Sequence, residues 1–202
     1  MSLASTVART GVLITVALTL LAGCGDDEAS GPQRSAEQAH SGFATDLLQH
    51  DAQVLALLDL ARQSELPPSA SSVIGEVQMQ RAAEVETLTQ WLTEASLPIP
   101  ATVRDHVNAG HGDHGPQAAD AETGAELPGM PDADELAELD AATGEEFLRL
   151  LADLLGELND GATEVADDYR DELKDDTLVE LADAVAEQRA ADDDLLDQIT
   201  GD

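Results

Sequence analysis

Gln80-Arg81-Ala82-Ala83-Glu84 returns 108 residues later as Gln188-Arg189-Ala190-Ala191-Asp192. Around the first copy, Ile74, Val77, Leu88, Trp91 and Ala95 fall at helical spacing, interrupted by Arg81 and Glu84. The same shift carries this stripe to Ala182, Val185, Arg189, Asp192, Leu196 and Ile199. Upstream, Leu47, His50, Val54, Leu57 and Ala61 form one face of another helix, and the shift maps them onto Leu155, Leu158, Ala162, Val165 and Tyr169. One offset serves both helices, so the spacing within each half is preserved. Two duplicated αα-hairpins predict an all-α four-helix bundle.

Proline placement agrees. The stretches 33–66, 69–97 and 132–202 lack proline, and each is long enough for a helix or more. The chain from Leu97 to Pro131 is rich in Pro, Gly, His and Asp and reads as a long loop. The expected bundle therefore covers 41–202, with a hairpin at 41–97, a loop at 98–131 and a second hairpin at 132–202. Composition fits a helical core: 43% of residues are hydrophobic, but only Phe43, Trp91, Phe147 and Tyr169 are aromatic, leaving Leu, Ala and Val to fill the interior. Against 42 acidic residues stand nine Lys and Arg, a formal net charge of −33. Such a surface repels phosphates, which excludes nucleic acid and makes anionic headgroups poor partners. Residues 132–202 hold 25 of the acids and four basic residues. Runs such as Asp167-Asp168 and Asp192-Asp193-Asp194 read as a solvated face suited to a saline exterior.

The N-terminus reads as an address. Arg9 precedes an uncharged run from Thr10 to Gly23, shorter than the ~20 residues a bilayer span needs but of secretory-signal length. It ends in Leu21-Ala22-Gly23-Cys24, similar to a bacterial lipobox, in which lipid is attached to the cysteine sulfur and the signal at 1–23 is removed. Cys24 is the single cysteine of the chain, which also rules out a disulfide framework and Cys-rich metal sites. The expected mature protein starts at Cys24, is held to the membrane by lipid, lies outside the cytoplasm, and has a polar tether over 24–40.

The order of signatures resembles the domain-of-unknown-function family numbered 305, ferritin-like four-helix proteins that are often secreted or lipid-anchored. The resemblance runs from about Gly42 to Ile199. In each half the family has Phe, Met, a His-His pair, then Ala and Met on one helix. Here Phe43 leads to Leu47, His50 and Asp51, and Phe147 leads to Leu155, Leu158 and Asn159, followed by Gly161-Ala162. Glu84-Val85, Leu88 and Trp91-Leu92 match a further family segment, as does Leu127-Pro128-Gly129-Met130-Pro131 with Glu135-Leu136 and Gly144. Several relatives are associated with copper or other metals, so the resemblance implies a metal site at the histidine pairs. In this chain those four positions hold His50, Asp51, Leu158 and Asn159, and leucines stand for the methionines. Soft-metal capture inside the bundle is expected to be lost.

His50, on an apolar stripe, reads as a hydrogen-bonded core histidine, with a surviving metal ligand as the alternative. Arg81 and Arg189 each precede an acid by three residues, Glu84 and Asp192. The bland reading makes them ion pairs at the stripe's edge, with stems packed and heads in water. The sharper one has two guanidinium groups replacing a lost metal and neutralising Glu84, Asp192 and Asp51. In the loop, His106, His111 and His114 lie beside Asp105 and Asp113, a set able to hold copper or zinc once ordered; a solvated loop without a site is the alternative. A di-iron centre needs two Glu-x-x-His motifs, and only Glu37-Gln38-Ala39-His40 occurs, in or near the tether. No nucleophile elbow or phosphate loop appears, so no enzyme is expected. What remains is a lipid-anchored binding or interaction module with a protein or metal-ion partner, or an envelope metal-binding protein using the loop histidines.

Overall fold

A computed structural model describes residues 34–108 and 127–200. Among them every regular element is helical: α1 (Ala36–Ala61), α2 (Pro68–Glu94), α3 (Val103–Asn108), α4 (Ala133–Ala141), α5 (Gly144–Arg170) and α6 (Asp176–Thr200). Local chemistry sets the boundaries. Ser35 opens α1 with a capping box, its hydroxyl accepting from the Gln38 amide at 3.3 Å while the Gln38 side chain accepts from the Ser35 amide at 3.0 Å. Pro68 occupies the first helical position of α2, where a missing N–H costs nothing. Asp132 and Glu135 repeat the capping box at the start of α4.

The four long helices form the expected bundle of two hairpins, α1–α2 and α5–α6. Helix α1 lies between α2 and α5, and α6 closes the square. Gly42 lies against Tyr169 and His50 against Gly161, so α1 and α5 run antiparallel. Arg81 meets Asp192 and Arg189 meets Glu84, so α2 and α6 do too. Helices α2 and α5 then point the same way, so the two hairpins are joined by a crossover and not by a tight turn. One long crossover of this kind is the ferritin-like connection.

Three boundaries differ from the sequence reading. Helix α1 begins at Ala36, so the stretch assigned to the tether up to residue 40, Glu37 and His40 included, is helical, and Ser35 supplies the cap that fixes the start. The 98–131 loop contains α3, whose N3 residue Asp105 accepts from the Thr102 amide at 2.8 Å. The second hairpin is preceded by a separate helix, α4, that puts Leu136 and Leu139 into the core. The signal segment, Cys24 and the tether up to residue 33 lie outside the described residues, as do His111, Asp113 and His114. No helix among the described residues is long and apolar enough to cross a membrane.

The core is divided. One apolar cluster gathers Leu57, Leu58, Ile74, Val77, Leu139, Leu151 and Leu155 at the end holding the α1–α2 turn. The other gathers Phe43, Leu47, Leu88, Leu92, Val165 and Leu178 at the opposite end. Each fully buried leucine contributes about 1.5–3 kcal/mol. Between the clusters lies a buried polar layer: Gln49, His50, Asp51 and Gln53 on α1, Arg81 and Glu84 on α2, Asn159 on α5, and Arg189 and Asp192 on α6.

Candidate functional site

The middle of α1 is buried on every side, without interruption from Leu47 to Leu55. Two bundle neighbours cover its inner faces, and the chain leading into α3 covers the outside, where Gln49 donates through Nε2 to the Ala101 carbonyl at 3.1 Å. Polar side chains in this stretch therefore have only protein to bind.

Arg81 on α2 and Arg189 on α6 are the largest side chains of the polar layer, at 0% and 2% exposure. The edge position expected from the sequence, with guanidinium heads in water, is thus incorrect. Three acids converge on the two cations at the same level. Arg81 donates through Nη1 to Glu84 Oε1 at 2.7 Å and through Nη2 to Asp192. Arg189 donates through Nη1 to Glu84 Oε1 at 3.1 Å, and through Nη2 to Glu84 Oε2 at 2.7 Å and Asp51 Oδ1 at 2.9 Å. The pairing is crossed: the acid three residues after Arg189 bonds to the arginine of the other half, and Arg189 takes Glu84 and Asp51. Asp192 is accordingly buried at 0% and leaves the solvated acidic run to which the sequence assigned it, while Asp167 and Asp168 are exposed. Burial raises Asp51 to about 7 against the pull of Arg81, and burial with the neighbouring Asp51 charge raises Glu84 to about 9.

His50 is a core residue, 1% exposed, but it is not hydrogen-bonded as expected: both ring nitrogens lack a partner. Burial pushes it down to about 4, so the ring is neutral. It faces Gly161, whose missing side chain lets the Pro128 carbonyl and the imidazole approach α5. Gly129, at φ +68°, brings the same Leu127–Pro131 segment against the Glu157 carbonyl.

The metal site implied by the resemblance can be tested against these groups. Of the four positions, His50 is neutral and unpartnered, Asp51 is bonded to Arg189, Leu158 has no donor atom, and Asn159 donates to Asp193 at 2.7 Å. Two fixed guanidinium groups share the level. The three carboxyl groups of this level are already bound by the guanidinium groups, and His50 alone supplies an uncommitted ring nitrogen, so the residues do not fit a metal. No group of three or more His, Cys, Asp or Glu side chains able to hold a metal occurs among the described residues. His106 lies on α3 and its two loop partners are outside the described residues; Asp105 is engaged as the α3 cap, its Oδ2 also accepting from the Thr102 hydroxyl at 3.0 Å. His40 is held by the Lys174 amide, which donates to its Nε2 at 2.9 Å, and lies edge-on to Trp91.

Two features had no sequence signal. The Tyr169 hydroxyl donates to Asp46 at 2.8 Å, beneath Arg34, whose guanidinium lies 4.5 Å from the ring centre. A surface groove of about 550 Å³ opens beside α2, with Leu55 and Val85 in its lining and Glu94 and Arg104 at polar positions.

A family model described as "Domain of unknown function (DUF305)" matches residues 40–200. A DUF305 protein from Streptomyces coelicolor, described as a secreted protein, has a similar crystal structure: the TM-score is 0.64 at 18% identity, covering 81% of this chain and 93% of that one. A DUF305 fragment from Deinococcus radiodurans gives 0.64 at 16% identity, covering 83% and 99%. No curated protein matches the chain.

Proposed function

This chain belongs to the family of domains of unknown function numbered 305, and on that premise we propose a lipid-anchored extracytoplasmic binding or interaction module whose bundle works without a metal. The observation that carries the reading is the crossed arginine–carboxylate network. It fills the level where the resemblance implies metal ligands, and it replaces an external cation by two guanidinium groups that cannot dissociate or deprotonate. The bundle then serves as a closed scaffold, and recognition falls to its outer surface and to the crossover. The lipobox ending at Cys24 and the description of the Streptomyces relative support a place outside the cytoplasm.

Two measurements on the full-length chain test this. Metabolic labelling with a fatty acid marks the wild type and is lost in Cys24→Ser; a labelled variant would sink the anchor. Titration with zinc and Cu(II) in ample salt, which screens diffuse binding to the acidic surface, leaves the bundle unmetallated, and a chelator leaves its melting temperature unchanged. The competing reading, metal capture by His106, His111 and His114, gives salt-resistant binding that disappears near pH 5 as imidazoles protonate. That binding is abolished when the three are replaced together by Ala and is untouched by His50→Ala. Binding lost only with His50 would return the metal to the bundle.

A further inference from the structure

We propose that the buried network holds one proton at neutral pH, shared between the carboxyl groups of Asp51 and Glu84, and that folding depends on keeping it. The inference stands on charge and geometry and is independent of the anchor and of any partner. Helix α1 brings His50 and Asp51 to this level, with the amides of Gln49 and Gln53. Helix α2 brings Gln80, Arg81 and Glu84, and α6 brings Arg189 and Asp192, with Asp193 turned to Asn159. Helix α5 contributes Leu158 and Asn159, neither of them ionisable. His50 is neutral. Two permanent positive charges thus face three carboxyl groups, and the side chains of all five are between 0% and 7% exposed.

With all three carboxyls ionised the sealed layer would carry one uncompensated negative charge, which a buried site sheds by binding a proton. The arginines cannot adjust the balance, so the proton must sit on a carboxyl. Arg189 Nη2 selects the place. It donates to Asp51 Oδ1 and Glu84 Oε2 together, drawing two carboxyl groups onto one nitrogen; Asp51 Oδ2 and Asp192 Oδ1 both lack a donor, but Asp192 shares its Arg81 nitrogen with no other carboxyl. Crowded carboxyls of this kind cannot both ionise easily. Burial raises both groups, and because they are neighbours a proton on one removes the charge that opposes ionisation of the other, so a single proton serves the pair.

The sign of the pH effect follows. A carboxyl raised above its unfolded value stabilises the fold fully below the unfolded range near pH 4 and loses that contribution as pH rises through the folded value. Unfolding of the wild type therefore releases this proton between about pH 5 and pH 7, and its share multiplies the unfolding constant about tenfold per pH unit. The test uses the full-length chain in detergent. Its infrared spectrum at about pH 6 shows a protonated-carboxyl band that vanishes in Asp51→Asn and in Glu84→Gln. Denaturant unfolding across the same window loses one proton of pH dependence in Asp51→Asn relative to the wild type; other titrating groups, His50 included, cancel in that difference. A wild type without the band overturns the proposal, and so does a band that persists in both variants. If Asp51→Asn does not fold, the wild-type spectrum and Glu84→Gln carry the same decision.

Discussion

Arg189 holds two carboxyl groups at once, and its removal strands Asp51 in a closed core and leaves Glu84 to Arg81 alone. Breaking one side of a buried pair costs about 3–5 kcal/mol. Arg189→Ala should lower the unfolding free energy by that amount in denaturant titrations, whereas Arg149→Ala, which breaks the exposed 2.7 Å contact to Asp153, should cost less than about 1 kcal/mol. Equal effects would contradict the burial of Arg189. His50 is the opposite case, since it is a polar ring with nothing to bind. His50→Leu should stabilise the protein by about 1 kcal/mol, the smaller end of the penalty for an unsatisfied buried group. The gain has a pH signature. A base whose folded value is lowered to about 4 takes up its proton more readily when unfolded, so the wild type loses stability as pH falls from about 6.5 towards 4. The difference in melting temperature between His50→Leu and wild type should therefore widen on acidification; a constant difference would show that His50 has a partner. The sequence exposed part of this. The repeat aligned His50 with Leu158 and so marked it as interior. It could not show the missing partner, because hydrogen bonds depend on which side chains the other helices bring alongside. For Arg81 and Arg189 charge suggested water, and burial followed from the acids on neighbouring helices.

Helix α1 was expected to show one apolar face, and its apolar stripe does line the core. It also buries Gln49 and Gln53, which an amphipathic reading leaves in solvent; the chain before α3 lies over Gln49, whose amide donates to the Ala101 carbonyl. That segment has no stripe of its own: α3 is six residues long, and it places Val103 in the apolar core. The Leu127–Pro131 segment was noticed as a motif without a structural role. Its role is to lie across α5 at Gly161, where a methyl group would strike the Pro128 backbone carbonyl and crowd His50. Alanine is ordinarily favoured over glycine inside a helix by about 1 kcal/mol. Here the obstacle is backbone, which cannot swing aside, so Gly161→Ala should destabilise by about 1–3 kcal/mol. Gly156→Ala on the same helix, with open space around it, should be neutral or stabilising. Melting temperatures of the two variants that moved together would remove the contact from the argument.

At the scale of the whole molecule, the duplicated pattern was enough to specify two hairpins and the order of their helices. The crossover was legible as a loop, but the docking of its described ends was not, because it is fixed by tertiary contacts at Gln49, Glu157 and Gly161. The net charge of −33 makes a prediction of its own. Exposed acids on α5 and α6 repel one another across distances that salt screens, the screening length falling from about 30 Å at 0.01 M to about 3 Å at 1 M. The denaturation midpoint should rise steadily over that range of NaCl, and a flat response would mean that the acids are compensated locally. The divided core has a further consequence. Two clusters of leucine and alanine offer little to stop one hairpin from sliding along the other by a helical turn, about 5.4 Å, since one aliphatic contact substitutes easily for the next. The crossed charges act as an alignment key: displaced by a turn, Arg81 would lose Asp192 and Arg189 would lose Glu84 and Asp51, leaving Asp51 and Asp192 unpaired in the interior. Hydrophobic burial brings the hairpins together, and the key determines the single register in which they stop.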